Sequence, residues 1–382
     1  IITFEPGGQI EYSSSAETVL SSVIEQLITN ISELEQILKK DDASFFFGGM
    51  NPWHSVETVG VKMNKPRYQA MDQYFKAIGP YGQQMMRLSA SLQVNLDFGS
   101  PDVAALRWKA SNLIAPIFCA MFGNTPFFNS KATGLKSYRT KIWQHLDPSR
   151  TGFPHLKSEN REKFSCVDQY TEFALNAYVF MLPNQNRCLG YCENGIPFRD
   201  WLSKGYNGYF PTIEDWESHL TTLFPDVRPK GFLEIRFIDG QSKPCWAVPA
   251  VLSTAIIYDE HASEKIVDLL MPYAEKLDQM SVDASIKGVE AFPDLCRKVF
   301  EIGLNPRDYP IDNALKVYCE NFFKRYTAIN RNPADDLLML NNGEVFTLQQ
   351  YDDYESILFD IIQPPTFVAT KDSKDLASEC NC

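Results

Sequence analysis

Three short stretches alternate apolar with polar side chains, and in each the polar set is of a kind that binds ligands. In Leu92-Gln-Val-Asn-Leu-Asp97, Leu92, Val94 and Leu96 fall on one side and Gln93, Asn95 and Asp97 on the other. In Leu233-Glu-Ile-Arg-Phe-Ile-Asp239, Glu234 and Arg236 oppose Leu233, Ile235 and Phe237. In Gln9-Ile-Glu-Tyr12, Gln9 and Glu11 oppose Ile10 and Tyr12. A period of two belongs to a strand that buries one face only. A carboxylate and a guanidinium two residues apart stand side by side on such a strand, able to hold a metal and a phosphate together. A cross-strand ion pair and a solvated antiparallel face give the same pattern.

The third stretch continues Ile1-Ile-Thr-Phe4, which has the side chains of a buried strand. Pro6, Gly7 and Gly8 interrupt it, since proline donates no ladder hydrogen bond and glycine allows a bulge. On a straight strand Glu5 and Glu11 would stand ~20 Å apart at ~3.3 Å per residue. They can share a cation only if the Pro-Gly-Gly segment bends the chain. The sequence opens inside this strand pattern on Ile1, so upstream sequence is expected.

Most of the rest reads as helix. Ala16–Lys40 is capped by Ser13–Ser15, Pro101–Phe127 is kinked at Pro116, and a helix begins beside Arg67. Val167–Phe180, Ile213–Phe224, Val248–Tyr258, Ala262–Leu277, Phe292–Glu301, Ile311–Tyr326 and Leu348–Ile362 follow. Ser44–Met50 reads as a buried strand. The 134–152 segment reads as a loop carrying Arg139, Trp143 and Arg150, and arginine suits planar recognition of carboxylate or phosphate. The 190–211 segment reads as a loop-rich lid. His219 lies on an amphipathic helix, where a lone histidine is usually structural.

The 382 residues are 44% hydrophobic and carry a net charge of −12, which leaves no basic footprint for nucleic acid. No apolar run reaches the length of a membrane span. Nine cysteines without paired spacing, Cys188 and Cys192 being four apart with no second pair, argue against zinc and for reduced thiols in an intracellular protein, expected to be cytoplasmic unless upstream sequence carries an organelle-targeting segment. Neither a Walker phosphate loop nor a dinucleotide glycine pattern is present.

Four segments in order resemble the glutamate–cysteine ligase family in the form shared by plants and many bacteria. They are Phe4-Glu-Pro-Gly-Gly-Gln-Ile-Glu11, Leu92–Asp97, Trp143–Gly152 with its Asp-x-x-Arg-Thr-Gly ending, and Trp216–Arg228 running into Leu233–Arg236. The resemblance runs from residue 1 to about Tyr258. It implies an α+β fold like that of glutamine synthetase: a curved, mostly antiparallel sheet forming a funnel, with helices outside. It also implies one catalytic domain over residues 1–382, sheet-rich to 258 and helical beyond.

The reaction it implies joins the γ-carboxylate of L-glutamate to the amine of L-cysteine through γ-glutamyl phosphate, with ATP as co-substrate and Mg²⁺ as cofactor. A different amine acceptor, or a homologue that only binds glutamate or nucleotide, is the alternative. No nucleic-acid or membrane partner is expected, and the assembly is a monomer or homodimer. Carried over by position, Glu5, Glu11 and Glu234 are metal ligands. Asn95 joins them, at a place where related ligases often have histidine. Arg228 and Arg236 contact phosphate. Arg67 and Arg139, with Trp143 and Arg150, bind substrate. Glu234 and Arg236 form the catalytic pair. Two departures stand out. The family's upstream Glu-x-Glu strand precedes Ile1, so these residues alone are expected to be less stable and poorly active. The regulatory cysteines of plant members have no counterpart in Ala16–Lys40.

Overall fold

A computed structural model describes residues 1–153, 166–183 and 189–365. Cys188, Cys380 and Cys382 lie outside them. The described chain is α+β, with many helices around short antiparallel sheets.

The strands are β1 (Ile2–Phe4), β2 (Ile10–Tyr12), β3 (Ser91–Leu96), β4 (Phe127–Phe128), β5 (Lys131–Ala132), β6 (Tyr178–Pro183), β7 (Leu189–Pro197), β8 (Val227–Pro229) and β9 (Leu233–Asp239). They pair as β1–β2, β4–β5, β6–β7 and the three-stranded sheet β3–β9–β8, all antiparallel. The central strand β9 behaves as its alternation predicts. Leu233, Ile235 and Phe237 are buried in the main core, each such side chain contributing roughly 1.5–3 kcal/mol. Glu234 and Arg236 face the other way.

The register shifts once, so that Arg236 and Phe237 together oppose Gln93. Such a bulge re-aims side chains, and this one lies at Arg236, two residues after Glu234. Against the apolar face of β9 pack the helices Pro101–Leu113 and Ala115–Phe122, with the buried Ala247–Tyr258 helix completing the core. The first two are one helical run broken at Ile114, since Pro116 cannot donate back into the preceding turn.

Several expectations change. Ile1–Phe4 is not a buried strand: Ile1 is 85% and Phe4 55% exposed, and β1 pairs only with β2. The first helix spans Leu20–Leu38 and starts at Val19 without a side-chain cap, so Ser13–Ser15 do not begin it. Ser44–Met50 joins no ladder beyond a bridge from Met50 to Ser89. Its aromatic rings are held by other rings instead, Phe46 by Trp53 and Tyr351, and Phe47 by Trp246. The segment read as a loop around Arg139 is the helix Tyr138–Leu146, capped by the Ser137 side chain on the Thr140 amide. The lid segment is β7 followed by the helix Phe198–Lys204. The helix expected over Ala262–Leu277 ends at Leu270 and gives way to a 3₁₀ stretch, Met271–Lys276, after which a further helix, Leu277–Lys287, follows.

Candidate functional site

β1 and β2 form a hairpin closed over Pro6-Gly7-Gly8, with Gly8 at φ +89° and its amide donating to the Glu5 carbonyl at 2.7 Å. Thr3 opposes Glu11, so Glu5 and Glu11 become diagonal neighbours on one face. The hairpin therefore supplies the bend that the straight-strand distance demanded. Their carboxyls come within hydrogen-bonding reach, and burial followed by the Glu11 charge raises the Glu5 carboxyl above its ordinary range, against Arg236 and Arg67. The hairpin is pinned from below. The Gln9 amide donates to the Ser89 carbonyl at 2.9 Å, and Gly7 lies so close to the Arg87 backbone that a Cβ would meet its carbonyl oxygen at 2.2 Å.

Opposite the hairpin stands a row across the three-stranded sheet. Asn95 pairs with Glu234, and Glu234 with Arg228. Glu234 Oε2 accepts from Arg228 Nε at 2.6 Å and from Arg236 Nη1 at 2.9 Å, while Lys230 Nζ lies 3.5 Å from Oε1. Burial alone would raise this carboxyl, but Arg236, Arg228 and Lys230 outweigh it and hold it at about 2. Asn95 is exposed. Arg67, two residues into the Pro66–Ile78 helix, donates to the Thr221 carbonyl at 3.0 Å and shares the field of Glu5 and Arg228.

Arg139 reaches the other edge of β9. β8 ends one residue short of pairing with Arg236. The Arg236 amide still donates to the Asp226 carbonyl at 2.9 Å, but the Arg236 carbonyl is taken by Arg139 Nη2 at 2.7 Å. The guanidinium also lies 4.2 Å from the centre of the Trp143 ring. Behind it sits buried Asp239, 3.8 Å from Nη1, whose carboxylate accepts from the Thr125 and Ser137 hydroxyls and the Asn124 amide.

Arg139 and Trp143 line a cavity of about 1030 Å³, with Asp226, Asp278, Gln144 and Phe237 among its walls. Asp226 is a residue the sequence reading passed over. It lies two places before Arg228 in the Phe224-Pro-Asp-Val-Arg228 run, which is the signal that could have found it. Burial first pushes its carboxyl up to about 7, with Asp278 adding to this and Arg139 and Arg236 opposing.

Arg150 is not in this group. Its guanidinium is fully buried between the Tyr74 and Phe180 rings and donates to Asp147 Oδ2 at 2.6 Å and to the Thr222 and Tyr178 carbonyls. Its role in the fold is to tie the Asp147 turn to neighbouring segments. His219 is likewise structural: buried, bonded to the Ala174 carbonyl at 2.9 Å, and held neutral down to about 4, chiefly by burial.

Glu5 and Glu11 offer hard oxygens to a divalent cation, and two like charges this close call for a positive counterpart. Glu234 fits less directly, because its oxygens already face three cationic side chains. Among the described residues no group of three or more His, Cys, Asp or Glu converges as a metal site. The free cysteines Cys119, Cys245, Cys296 and Cys319 are buried in the core, and no described helix is long and apolar enough to cross a membrane.

Fold and site together define an α+β protein whose polar strand faces gather carboxylates and arginines beside a deep cavity. The chain belongs to glutamate-cysteine ligase family 2, whose sequence profile matches residues 1–291. It is 29% identical over 357 residues to the chloroplastic glutamate–cysteine ligase of Medicago truncatula, covering 90% of this chain and 68% of that protein. It is 32% identical over 272 residues to the Arabidopsis thaliana chloroplastic enzyme (70% and 51%), and 30% over 283 residues to that of Nicotiana tabacum (73% and 53%). The chain thus spans between half and about two thirds of the length of these curated relatives.

Proposed function

We propose that this protein is an ATP-dependent glutamate–cysteine ligase that forms γ-glutamylcysteine through γ-glutamyl phosphate. The observation that carries the reading is the convergence of Glu5, Glu11, Arg67, Arg228 and Arg236 within a chain of this family. Phosphoryl transfer asks mainly for positioning and charge neutralisation, which carboxylates around a cation and guanidinium groups around phosphate supply without a protein nucleophile. We read the antiparallel sheets as parts of the curved, funnel-forming sheet of glutamine-synthetase-like enzymes, and residues 1–382 as one catalytic domain.

In this reading Glu5 and Glu11 hold Mg²⁺, with Asn95 and Glu234 along the opposing row. The bound ion would neutralise the phosphate oxygens of the nucleotide. Arg228 and Arg236, both already oriented by Glu234, present donors to the transferring phosphate. Arg139, stacked on Trp143 and backed by Asp239, binds the α-carboxylate of glutamate, and Arg67, which lies in the field of Glu5 and Arg228, is the second arginine we assign to substrate. Asp239 and the Arg236 carbonyl hold the Arg139 fork before any substrate arrives.

The test is to supply the full-length protein with glutamate, ATP, magnesium and each amino acid in turn. Phosphate release is expected to be greatest with cysteine and to yield a γ-glutamyl dipeptide. Greater turnover with another amine assigns a different acceptor, and no glutamate-dependent release overturns the ligase reading.

A further inference from the structure

Among the described residues the β1–β2 hairpin pairs with no third strand, and its Ile2, Phe4 and Ile10 side chains are exposed. Neither a ladder nor a packed apolar face therefore sets where Glu5 and Glu11 stand relative to the sheet. Apart from a hydrogen bond from Asn30 to the Tyr12 hydroxyl at 3.0 Å, the contacts that anchor the hairpin gather at its turn. The Pro6 carbonyl accepts from the Lys62 amide at 2.7 Å, Gly7 lies against the Arg87 backbone, and the Gln9 side chain reaches out of the hairpin.

Gln9 meets the end of the helix Pro80–Leu88. The last carbonyls of a helix have no partner within it. Here the Met85 carbonyl accepts from the Ser89 hydroxyl at 2.7 Å and the Leu88 carbonyl from the Asn51 amide at 2.8 Å. Gln9 Nε2 donates to the Ser89 carbonyl at 2.9 Å and to the Met86 carbonyl at 3.4 Å. Gln9 Oε1 accepts from the Gly7 amide at 3.0 Å. Both ends of one amide are thus used, the oxygen to shape the turn and the nitrogen to cap the helix. Turning the amide over would set its oxygen against two carbonyls, so its orientation is fixed. The helix end is itself held, since Arg87 donates to the Val56 carbonyl at 2.8 Å and to Asp72 at 2.5 Å. Shortly after Ser89 begins β3, which carries Asn95 opposite Glu234.

We propose that Gln9 is a positioning residue for the cation site. By capping this helix from the hairpin, it sets the Glu5–Glu11 pair at a fixed place before the row of Asn95, Glu234 and Arg236. The inference rests on the ligase reading, which gives Mg²⁺ to Glu5 and Glu11, and deepens it. Gln9 touches neither the ion nor a substrate. It keeps together with the sheet two carboxylates whose charges oppose one another, so that the ion meets a site already formed. Loss of such an outer partner lowers metal affinity by about 10- to 100-fold.

The test follows Mn²⁺, a paramagnetic substitute for Mg²⁺, as it binds the full-length protein without nucleotide. The electron paramagnetic resonance signal of the free ion gives the affinity with no turnover required. Gln9→Met keeps the length of the side chain and removes the donor, and is expected to bind Mn²⁺ about tenfold more weakly or worse. Gly7→Ala reaches the same end by another route, because its Cβ drives the turn away from the Arg87 carbonyl. It should weaken Mn²⁺ as well. In both variants the midpoint of urea unfolding should stay where it is, since the hairpin lies outside the main core. KM for glutamate at saturating metal should also be unchanged, because Arg139 stands at the other edge of β9. A merely structural role would move the unfolding midpoint instead of the affinity.

Unchanged Mn²⁺ affinity in both variants overturns the proposal. So does weakened binding matched in both by a lowered unfolding midpoint. Glu11→Gln separates the layers: if it leaves Mn²⁺ affinity as it was, the ion lies elsewhere and the cation assignment falls. An unmodified enzyme that makes no γ-glutamyl product overturns the ligase reading, while the Mn²⁺ comparison still reports on Gln9.

Discussion

Arg228 and Glu234 stand directly opposite one another on neighbouring strands, and Arg228 Nε donates to Glu234 Oε2 at 2.6 Å, the same oxygen that Arg236 Nη1 reaches at 2.9 Å. One carboxylate therefore orients two guanidinium groups. Glu234→Gln is expected to leave both arginines charged and poorly held. Ligase turnover should fall at least tenfold, and so should that of Arg236→Lys, since an ammonium cannot replace the planar fork. Near-normal turnover in both variants would reduce the trio to a structural ion pair.

The same carboxylate gives a pH signature. Its pKa in the folded state, about 2, lies below its ordinary 4.5. The stabilisation is thus complete above that ordinary value and is lost as pH falls from about 4.5 to 2, amounting to roughly 3 kcal/mol. Acid unfolding of Glu234→Gln should show a correspondingly shallower loss over that window, measured by urea titrations at pH 5 and pH 3.

Glu5 behaves oppositely, because burial first, and then the Glu11 charge, raises its carboxyl. Without divalent cation, Glu11→Gln is expected to match or exceed the unmodified protein in Tm at pH 8. With magnesium added, the unmodified protein should gain Tm, by the linkage of ligand binding to stability, and the variant should not. Equal gains in both would place the cation elsewhere.

Arg150→Ala should act on folding and not on recognition. Removing a guanidinium that is 0% exposed leaves Asp147 buried beside Tyr74 without its cation, a loss of about 3–5 kcal/mol. Urea denaturation measures this. At a temperature where the variant remains folded, its KM for glutamate should be unchanged. A rise in KM without lost stability would return Arg150 to the substrate site.

Gly49 tests how Arg139 is held. A Cβ there would meet Thr125 Cγ2 at 2.6 Å and Asp239 Cβ at 3.0 Å. Gly49→Ala is thus expected to cost about 1–3 kcal/mol by overpacking. By displacing Asp239 behind the guanidinium, it should also raise KM for glutamate more than it lowers kcat. Unaltered KM would detach Asp239 from substrate binding.

The sequence carries the polar faces of β3 and β9 plainly, because strict alternation leaves little choice of which residues face the core. It also carries the break at Pro116, which follows from the missing N–H. It does not carry the hairpin turn at Pro6-Gly7-Gly8 as opposed to a bulge, since either satisfies the same residues and only pairing partners decide. Arg139 and Trp143 were legible as recognition groups but not as one helical face, because Gly134 and Ser137 make the preceding segment look like a loop. Arg150 shows the converse limit: local sequence does not reveal that Tyr74, Phe180 and Thr222 close around it. Asp226 was hidden for the same reason, its surroundings coming from the Tyr138–Leu146 and Leu277–Lys287 helices and β9.

The end of β8 one residue early leaves a main-chain carbonyl for Arg139 to occupy, so the guanidinium in the cavity grips the peptide of the residue whose own guanidinium faces the opposite side of the strand. A carboxylate that draws Arg139 toward itself competes with that peptide. If Arg139 binds glutamate and Arg236 binds phosphate, as proposed, amino-acid occupancy on one side of β9 and phosphate occupancy on the other are thereby joined in one thermodynamic cycle. Whatever factor glutamate exerts on nucleotide affinity, nucleotide must exert on glutamate affinity, and a residue that uncouples the two, such as Arg139→Gln, should erase both effects together.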